Sequence, residues 1–155
     1  MKINNIPSDL SAENFNSYFI NKVDDIVSNL PDTNNEALHF LTNLHKTCHN
    51  FKFCHIKVED VYSTILKLNN STCLDVFGLN SKILKIASMF ICEPLAHIFN
   101  VCIDKCDFPE VFKYAKVIPM YKKGDKSDYG NYRPICILPI VSKVFEILLK
   151  QQIIK

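Results

Sequence analysis

Apolar residues recur at helical spacing in several parts of the chain, and each such stretch predicts an amphipathic helix. The first stretch is the longest, because the apolar residues between Phe15 and Leu30 form one stripe. Ser8 and Asp9 precede it, and their side chains can accept hydrogen bonds from the unpaired amides of a first turn. The pattern therefore predicts a helix over residues 9–30.

Further apolar stretches predict helices farther along the chain. They cover residues 58–68, 81–90 and 93–105, and the stretch from Pro139 to the last residue. Because proline disrupts a helix interior but is tolerated in a first turn, Pro94 predicts that a new or kinked helix begins near it. The looser pattern over residues 31–53 predicts a linker with one short helix near residues 38–44.

Two short runs with a different pattern predict a β-hairpin. Residues 115–121 and 132–138 are rich in Val, Ile and Tyr, and they flank a polar loop over residues 122–131. The loop holds Gly124 and Gly130, two of the chain's three glycines. Such runs, separated by a cluster of Gly, Asp, Ser and Asn, are typical of two paired strands with a long, mobile tip.

Charge is distributed unevenly along the chain. Residues 113–155 carry nine basic and three acidic side chains, a formal charge of +6, whereas the remainder is at −4. The basic part includes Arg133, the single arginine in the sequence. This asymmetry predicts that one face of the protein binds a polyanionic partner.

Length and composition predict one ordinary domain inside the cell. The chain has 155 residues, of which 48% are hydrophobic, and shows neither a signal peptide nor a membrane span. Its seven cysteines are odd in number and form no CxxC pair, which favours free thiols in the nucleus or cytoplasm over secretion.

The cluster His45, Cys48, His49, Cys54 and His55 fits no common zinc spacing, so we expect no metal site.

The hairpin region carries the sequence motifs that are most specific. The run AKVIPMYKKGD from Ala115, followed by NYRPICILPIVSKVFE from Asn131, resembles the opening motifs of reverse transcriptases of non-LTR (LINE-type, jockey/RTE-like) retrotransposons. Upstream, DVFGL from Asp75 resembles the family's DxxGL segment, and CDFP from Cys106 resembles its GxFP turn. FNSYF from Phe15 resembles the FNxYF helix that precedes the polymerase part of such elements.

The resemblance implies a fold and a division of the chain. We expect an α+β fold, namely a mostly helical fingers fragment of a right-hand polymerase with a β-hairpin near residues 114–138. Residues 1–56 would be an N-terminal helical extension and linker. Residues 57–155 would be the N-terminal fingers part of a reverse transcriptase domain, ending before the catalytic palm. Under this interpretation we also expect uncovered apolar surface around Ile135, Ile137, Val144 and Leu148, where the palm would pack.

The resemblance also implies the residues of a nucleotide site. Arg133 matches the arginine that contacts the nucleotide phosphates, and Lys122 or Lys123 would be the accompanying lysine, with no sequence feature to choose between them. Arginine can bind a phosphate through two parallel hydrogen bonds, in a bidentate manner, whereas lysine binds it as a point charge. Solvated lysines on a surface loop are the plain alternative.

Further residues are expected to contact nucleic acid. They are Lys116, Lys126, Tyr132, Asp75 and Gly78. Tyr132 and Tyr121 offer aromatic faces on which bases can stack, although tyrosines in a hairpin also commonly pack at the edge of a core. The Asp75 and Gly78 segment matches the family's template-contacting loop.

Catalysis is expected to need residues that this chain does not supply. Two-metal polymerases require several carboxylates, and Glu146 is the one acidic residue after Arg133. We therefore expect no catalytic residue, no bound cofactor and no activity from this chain alone. The full-length enzyme would need Mg²⁺ as a cofactor, and its partners would be an RNA template, a DNA primer and a dNTP. It would also need the missing palm and thumb segments. No membrane partner is expected. The alternatives are a non-enzymatic module that binds single-stranded nucleic acid, or a nonfunctional relic of a transposable element.

Overall fold

The computed structural model describes residues 10–31 and 51–154. These residues form five α-helices, one short 3₁₀ helix and one two-stranded antiparallel sheet, so the fold is α+β, as predicted. The elements in chain order are α1 (Ala12–Ser28), α2 (Val58–Lys67), α3 (Ser81–Lys105), α4 (Glu110–Lys113), β1 (Lys116–Tyr121), the 3₁₀ helix (Tyr129–Asn131), β2 (Tyr132–Ile137) and α5 (Ile140–Ile153). The helix predicted near residues 38–44 lies outside the described residues.

The chain divides into two compact units by its internal contacts. Of the described residues, the first unit contains 10–31 and 119–135, so it joins α1 to the tip of the hairpin. The second unit contains 51–118 and 136–154, and so holds α2 to α5. A boundary after residue 56, as inferred from the sequence, stays a prediction.

The core of the second unit forms where α2, α3 and α5 meet. Val61 of α2, Phe99 of α3 and Val144 of α5 are fully buried, and the Phe99 ring stacks on Phe145 with centroids 4.7 Å apart. Val144 and Leu148 thus belong to this core, and the prediction that they form uncovered surface is wrong. The apolar face of α5 finds its partners within the unit, on α2 and α3.

Helix α3 runs without a break from Ser81 to Lys105, so no new helix starts near Pro94, and that alternative is wrong. A kink near Pro94, the other alternative, stays a prediction. Pro94 lies on the exposed side of the helix. The hydrogen bond that proline cannot make is therefore lost where water can replace it. Cys92 and Ala96, buried on either side of Pro94, hold both halves against the core.

By length and apolar composition alone, α3 could cross a membrane, although no such segment was expected from the sequence. The core helix of a soluble protein passes the same test. In this unit α3 buries Leu84 and Phe99, while Ile86 and Phe90 on another side are 81% and 84% exposed. The helix therefore acts as the central element of the second unit and also carries an exposed apolar face.

An extended segment before α2 is held by two amide side chains. Asn100 accepts the N–H of Ile56 at 2.7 Å and donates to its carbonyl at 2.9 Å. Gln152 binds the backbone of Cys54 in the same paired manner, at 2.7 and 3.0 Å. Because each amide satisfies both backbone groups of one residue, α3 and α5 fix this segment without a strand partner.

Candidate nucleic-acid interface

The register of the hairpin decides which side chains share a face. The backbone N–H of Lys122 donates to the carbonyl of Asn131 at 2.8 Å, which makes these two residues opposite each other. Tyr121 then lies opposite Tyr132, in agreement with ring centroids 5.5 Å apart, and Met120 is opposite Arg133. The runs predicted as strands, 115–121 and 132–138, are confirmed.

Strand alternation then places Arg133 and Lys122 on one face of the hairpin, with Tyr121 and Tyr132 on the other. Arg133 and Lys122 are diagonal neighbours across the two strands, a separation that long side chains can bridge. Both are exposed, as is Lys123, which follows the strand. In the described parts of the chain, no carboxylate forms an ion pair with any of the three.

The loop at the hairpin tip is organised by its own polar side chains. Asp125 accepts the N–H of Ser127 at 2.9 Å, and Asp128 accepts that of Gly130 at 2.8 Å. The backbone N–H and hydroxyl of Ser127 stabilise the carboxylate and hold the pKa of Asp125 below its usual range. Asn131 closes the loop by donating to the Asp125 carbonyl at 2.9 Å. Both carboxylates are thus engaged within the loop.

Lys126 lies beside the aromatic face of the tip. Its ammonium is 5.8 Å from the centroid of the Tyr121 ring, within the range of a cation–π contact. Its carbonyl accepts the hydroxyl of Tyr132 at 2.8 Å. Tyr121 remains 39% exposed, so part of its ring is accessible to a ligand.

Tyr132 is a buried residue that packs against α1. Its side chain is only 8% exposed, and its ring packs edge-on against Phe15 of α1 with centroids 4.8 Å apart, while Tyr121 contacts it from the opposing strand. A base has no free face of this ring to stack on. The structure therefore favours the core position that a hairpin tyrosine commonly has over the stacking role.

Asp75 and Gly78 shape their own loop. The Asp75 carboxylate is buried and accepts three backbone N–H groups at 2.9 Å each, those of Phe77, Leu79 and Ile140. Gly78 has φ +74°, a left-handed conformation that glycine adopts without strain. The carboxylate of Asp75 is thus occupied by its own loop and by the start of α5.

Comparison with known proteins shows which proteins this chain is similar to. No protein-family model matches the chain. A 100-residue stretch, 63% of the chain, is 30% identical to the 115 kDa protein of the type-1 retrotransposable element R1DM of Drosophila melanogaster. A similar stretch is 28% identical to the RNA-directed DNA polymerase from the mobile element jockey of the same fly. The resemblance to non-LTR retrotransposon proteins is confirmed.

The match to these non-LTR retrotransposon proteins is local. The chain spans about a tenth of the length of the curated relatives, 10% of one and 11% of the other. The similarity covers a segment of each relative and leaves most of that protein without a counterpart here.

A second feature, which sequence reasoning missed, lies in the second unit. An open concavity of about 390 Å³ is lined by Asn80, Lys143, Glu146 and Cys136, with Asp75 at its wall. These residues come from two stretches, residues 75–80 and 136–146, that only folding brings together, so no local motif could have indicated the concavity. Lys116, at the start of β1, is exposed in the same unit.

Metal-ligating side chains do not cluster in the described parts of the chain. Over residues 10–31 and 51–154, no group of three or more His, Cys, Asp or Glu side chains lies close enough to hold a metal ion. Three members of the His and Cys cluster noted in the sequence, His45, Cys48 and His49, lie outside these ranges. Within them, His55 pairs with Asp104 at 2.7 Å.

Proposed function

We propose that this chain is the nucleotide-contacting fingers part of a reverse transcriptase of a non-LTR retrotransposon. The observation that carries the proposal is the shared, exposed face of Arg133 and Lys122, with no carboxylate paired to either in the described parts of the chain. DNA polymerisation requires that the negative triphosphate of the incoming nucleotide be neutralised and aligned. An arginine fork next to a lysine point charge meets that requirement.

The choice between the two candidate lysines follows from the same geometry. Lys122 ends the paired part of the hairpin and shares a face with Arg133, whereas Lys123 lies past the last strand pairing. We therefore assign the phosphate contact to Lys122, with Lys123 in a supporting position. Lys116 and Lys126 would contact the backbone of the template, and Tyr121 offers the more accessible aromatic ring.

The catalytic carboxylates would come from elsewhere in the enzyme. Within the described residues the acidic side chains of the hairpin loop are engaged locally, and no carboxylate cluster is present. Two-metal phosphoryl transfer needs such a cluster to hold Mg²⁺. The chain alone would therefore be inactive, and RNA template, DNA primer, dNTP and Mg²⁺ would meet in the full-length enzyme with its palm and thumb.

The test is nucleotide binding by the purified chain. Arg133→Ala should lower the affinity for a fluorescent dNTP by about tenfold or more, because it removes charge-assisted hydrogen bonds. Lys122→Ala should weaken binding more than Lys123→Ala, and Lys67→Ala, an exposed lysine on α2, is the matched control. Equal affinities for wild type and Arg133→Ala would contradict the proposal.

A primer-extension assay tests the inactivity. The purified chain, given an RNA template, a DNA primer, dNTPs and Mg²⁺, should incorporate no nucleotide. Incorporation that Arg133→Ala abolishes would show instead that the chain has a catalytic centre of its own.

A second candidate function is a non-enzymatic module that binds single-stranded nucleic acid. The charge of +6 over residues 113–155 favours it, because phosphate contacts by lysines need no nucleotide pocket. RNA binding that weakens steeply between about 50 and 200 mM salt, without any dNTP binding, would identify the module. A chain that binds neither RNA nor dNTP at low salt would be a nonfunctional relic.

A further inference from the structure

Aromatic side chains connect α1 to the tip of the hairpin within the first unit. Phe15 is 4% exposed, and its ring meets Tyr129 edge-on at 5.0 Å and Tyr132 edge-on at 4.8 Å. Tyr18, three residues farther along α1, stacks on Tyr129 with centroids 5.8 Å apart. We call these four residues, Phe15, Tyr18, Tyr129 and Tyr132, the aromatic brace.

The brace contacts the backbone of the tip closely as well. A Cβ atom added to Gly130 would lie 3.1 Å from the Tyr18 hydroxyl oxygen and 3.2 Å from Oδ1 of Asp128. Glycine at this position therefore lets the helix and the 3₁₀ turn approach each other. The N–H of Gly130 donates to Asp128, which ties the same turn to the loop.

The brace includes Tyr132, the residue next to Arg133. Side chains of neighbouring residues in a strand point to opposite faces, so a fixed Tyr132 ring fixes the face on which Arg133 lies. Phe15 and Tyr121 contact the Tyr132 ring from two elements, and the Tyr132 hydroxyl donates to the carbonyl of Lys126. A strand register that slipped by one residue would move Arg133 to the opposite face.

We propose that α1 is a positioning element for the nucleotide site, and that Phe15 and Tyr18 act through Tyr129 and Tyr132 to hold the tip with Arg133 and Lys122 on its exposed face. This inference rests on the proposed function. Neither Phe15 nor Tyr18 would touch the nucleotide. They would raise the affinity for the nucleotide by restricting the unbound tip to fewer conformations, because less conformational entropy is then lost on binding.

The experiment compares variants of α1 in the complete chain. Phe15→Ala should lower dNTP affinity by about tenfold and speed tryptic cleavage after Lys122, Lys123 and Lys126 to a similar degree, because three ring contacts are lost. Val23→Ala, on the same helix but 59% exposed, is the matched control and should change neither quantity. Unchanged affinity in Phe15→Ala would overturn the inference, even with faster cleavage.

A second set of variants does not remove a buried ring. Tyr18→Phe keeps the stack on Tyr129 and should bind dNTP like wild type, whereas Tyr18→Ala should bind several-fold more weakly. Gly130→Ala should weaken binding by forcing the hydroxyl of Tyr18 away, and the double variant with Tyr18→Phe should recover part of the loss. Equal affinities for Tyr18→Ala and Tyr18→Phe would contradict a positioning role.

The two proposals can fail separately. If the wild-type chain binds no dNTP, the proposed function fails, and the brace is then judged by proteolysis alone. Faster cleavage of the tip in Phe15→Ala and Tyr18→Ala than in Val23→Ala would still support the brace. Equal cleavage rates in all three variants would overturn it.

Discussion

Asp75 accepts the backbone N–H of Ile140, 65 residues later in the chain, at 2.9 Å. Ile140 is the first residue of α5, and its N-cap, Pro139, has no side-chain acceptor to offer. Asp75 therefore caps α5 from a distant loop, and its negative charge lies at the positive end of that helix. The same carboxylate holds the turn that contains Gly78, so one side chain joins two segments of the second unit.

Replacing Asp75 should destabilise the second unit. Asp75→Ala leaves three backbone N–H groups without their acceptor, and we expect a loss of about 2–4 kcal/mol in the free energy of unfolding by urea. Asp75→Asn should cost less, because one oxygen can still accept from Phe77 and Leu79. If Asp75→Ala melts like wild type but loses RNA binding, the residue contacts template rather than holding the fold.

Two phenylalanines of α3 should differ in their contribution to stability. Phe99 is fully buried against Phe145, whereas Phe90 is 84% exposed. Phe99→Ala should therefore lower the free energy of unfolding by about 3–5 kcal/mol, as for other large-to-small changes in a core. Phe90→Ala, on the same helix, should change it by less than about 0.5 kcal/mol in urea titrations. A large loss in Phe90→Ala would reveal that something covers this face in solution.

The glycines with positive φ should respond differently to substitution by alanine. At Gly78, φ +74°, an added Cβ meets nothing within 4 Å, so the cost is backbone strain of about 1–2 kcal/mol. At Gly124, φ +99°, the Cβ would lie 2.7 Å from the Asn131 amide, which closes the tip. Gly124→Ala should therefore also displace Asn131 and accelerate tryptic cleavage at Lys126. Equal cleavage in the two variants would argue against this contact.

Two thiols should resist alkylation in the folded chain. Burial raises the pKa of Cys92, and burial together with the nearby Asp107 carboxylate raises that of Cys102. Iodoacetamide at pH 8 should label exposed Cys54 and Cys136 much faster, as peptide mass spectrometry would show. Labelling of Cys92 at the same rate as Cys136 would indicate that the core opens readily.

The same thiols give stability a pH dependence whose sign is fixed. A folded-state pKa above the unfolded value means that the neutral thiol is favoured by folding. This contribution is complete below the ordinary thiol pKa of about 8.5 and is lost as pH rises toward the folded-state value. Urea unfolding of a Cys92→Ala, Cys102→Ala variant should therefore depend less on pH above about 8.5 than that of the wild type.

Local patterns predicted the elements well and their partners poorly. The apolar stripe from Phe15 indicated α1, and the Val, Ile and Tyr runs indicated both strands. The four-residue helix α4 carried no usable period, since one turn is too short to show one. The new helix expected near Pro94 does not form, because Pro94 is exposed and the missing hydrogen bond costs little there. That exposure depends on tertiary packing.

The candidate site shows the same division. Residue chemistry and motif spacing indicated Arg133 and the lysines of the tip as candidate site residues. A charge pattern and a family motif can both be recognised in the sequence itself. The burial of Tyr132 against Phe15, the capping of α5 by Asp75 and the concavity beside Lys143 depend on contacts between residues distant in sequence. Order along the chain fixes which local structures can form, whereas long-range packing decides which polar groups are hydrogen-bonded within the fold and which remain exposed.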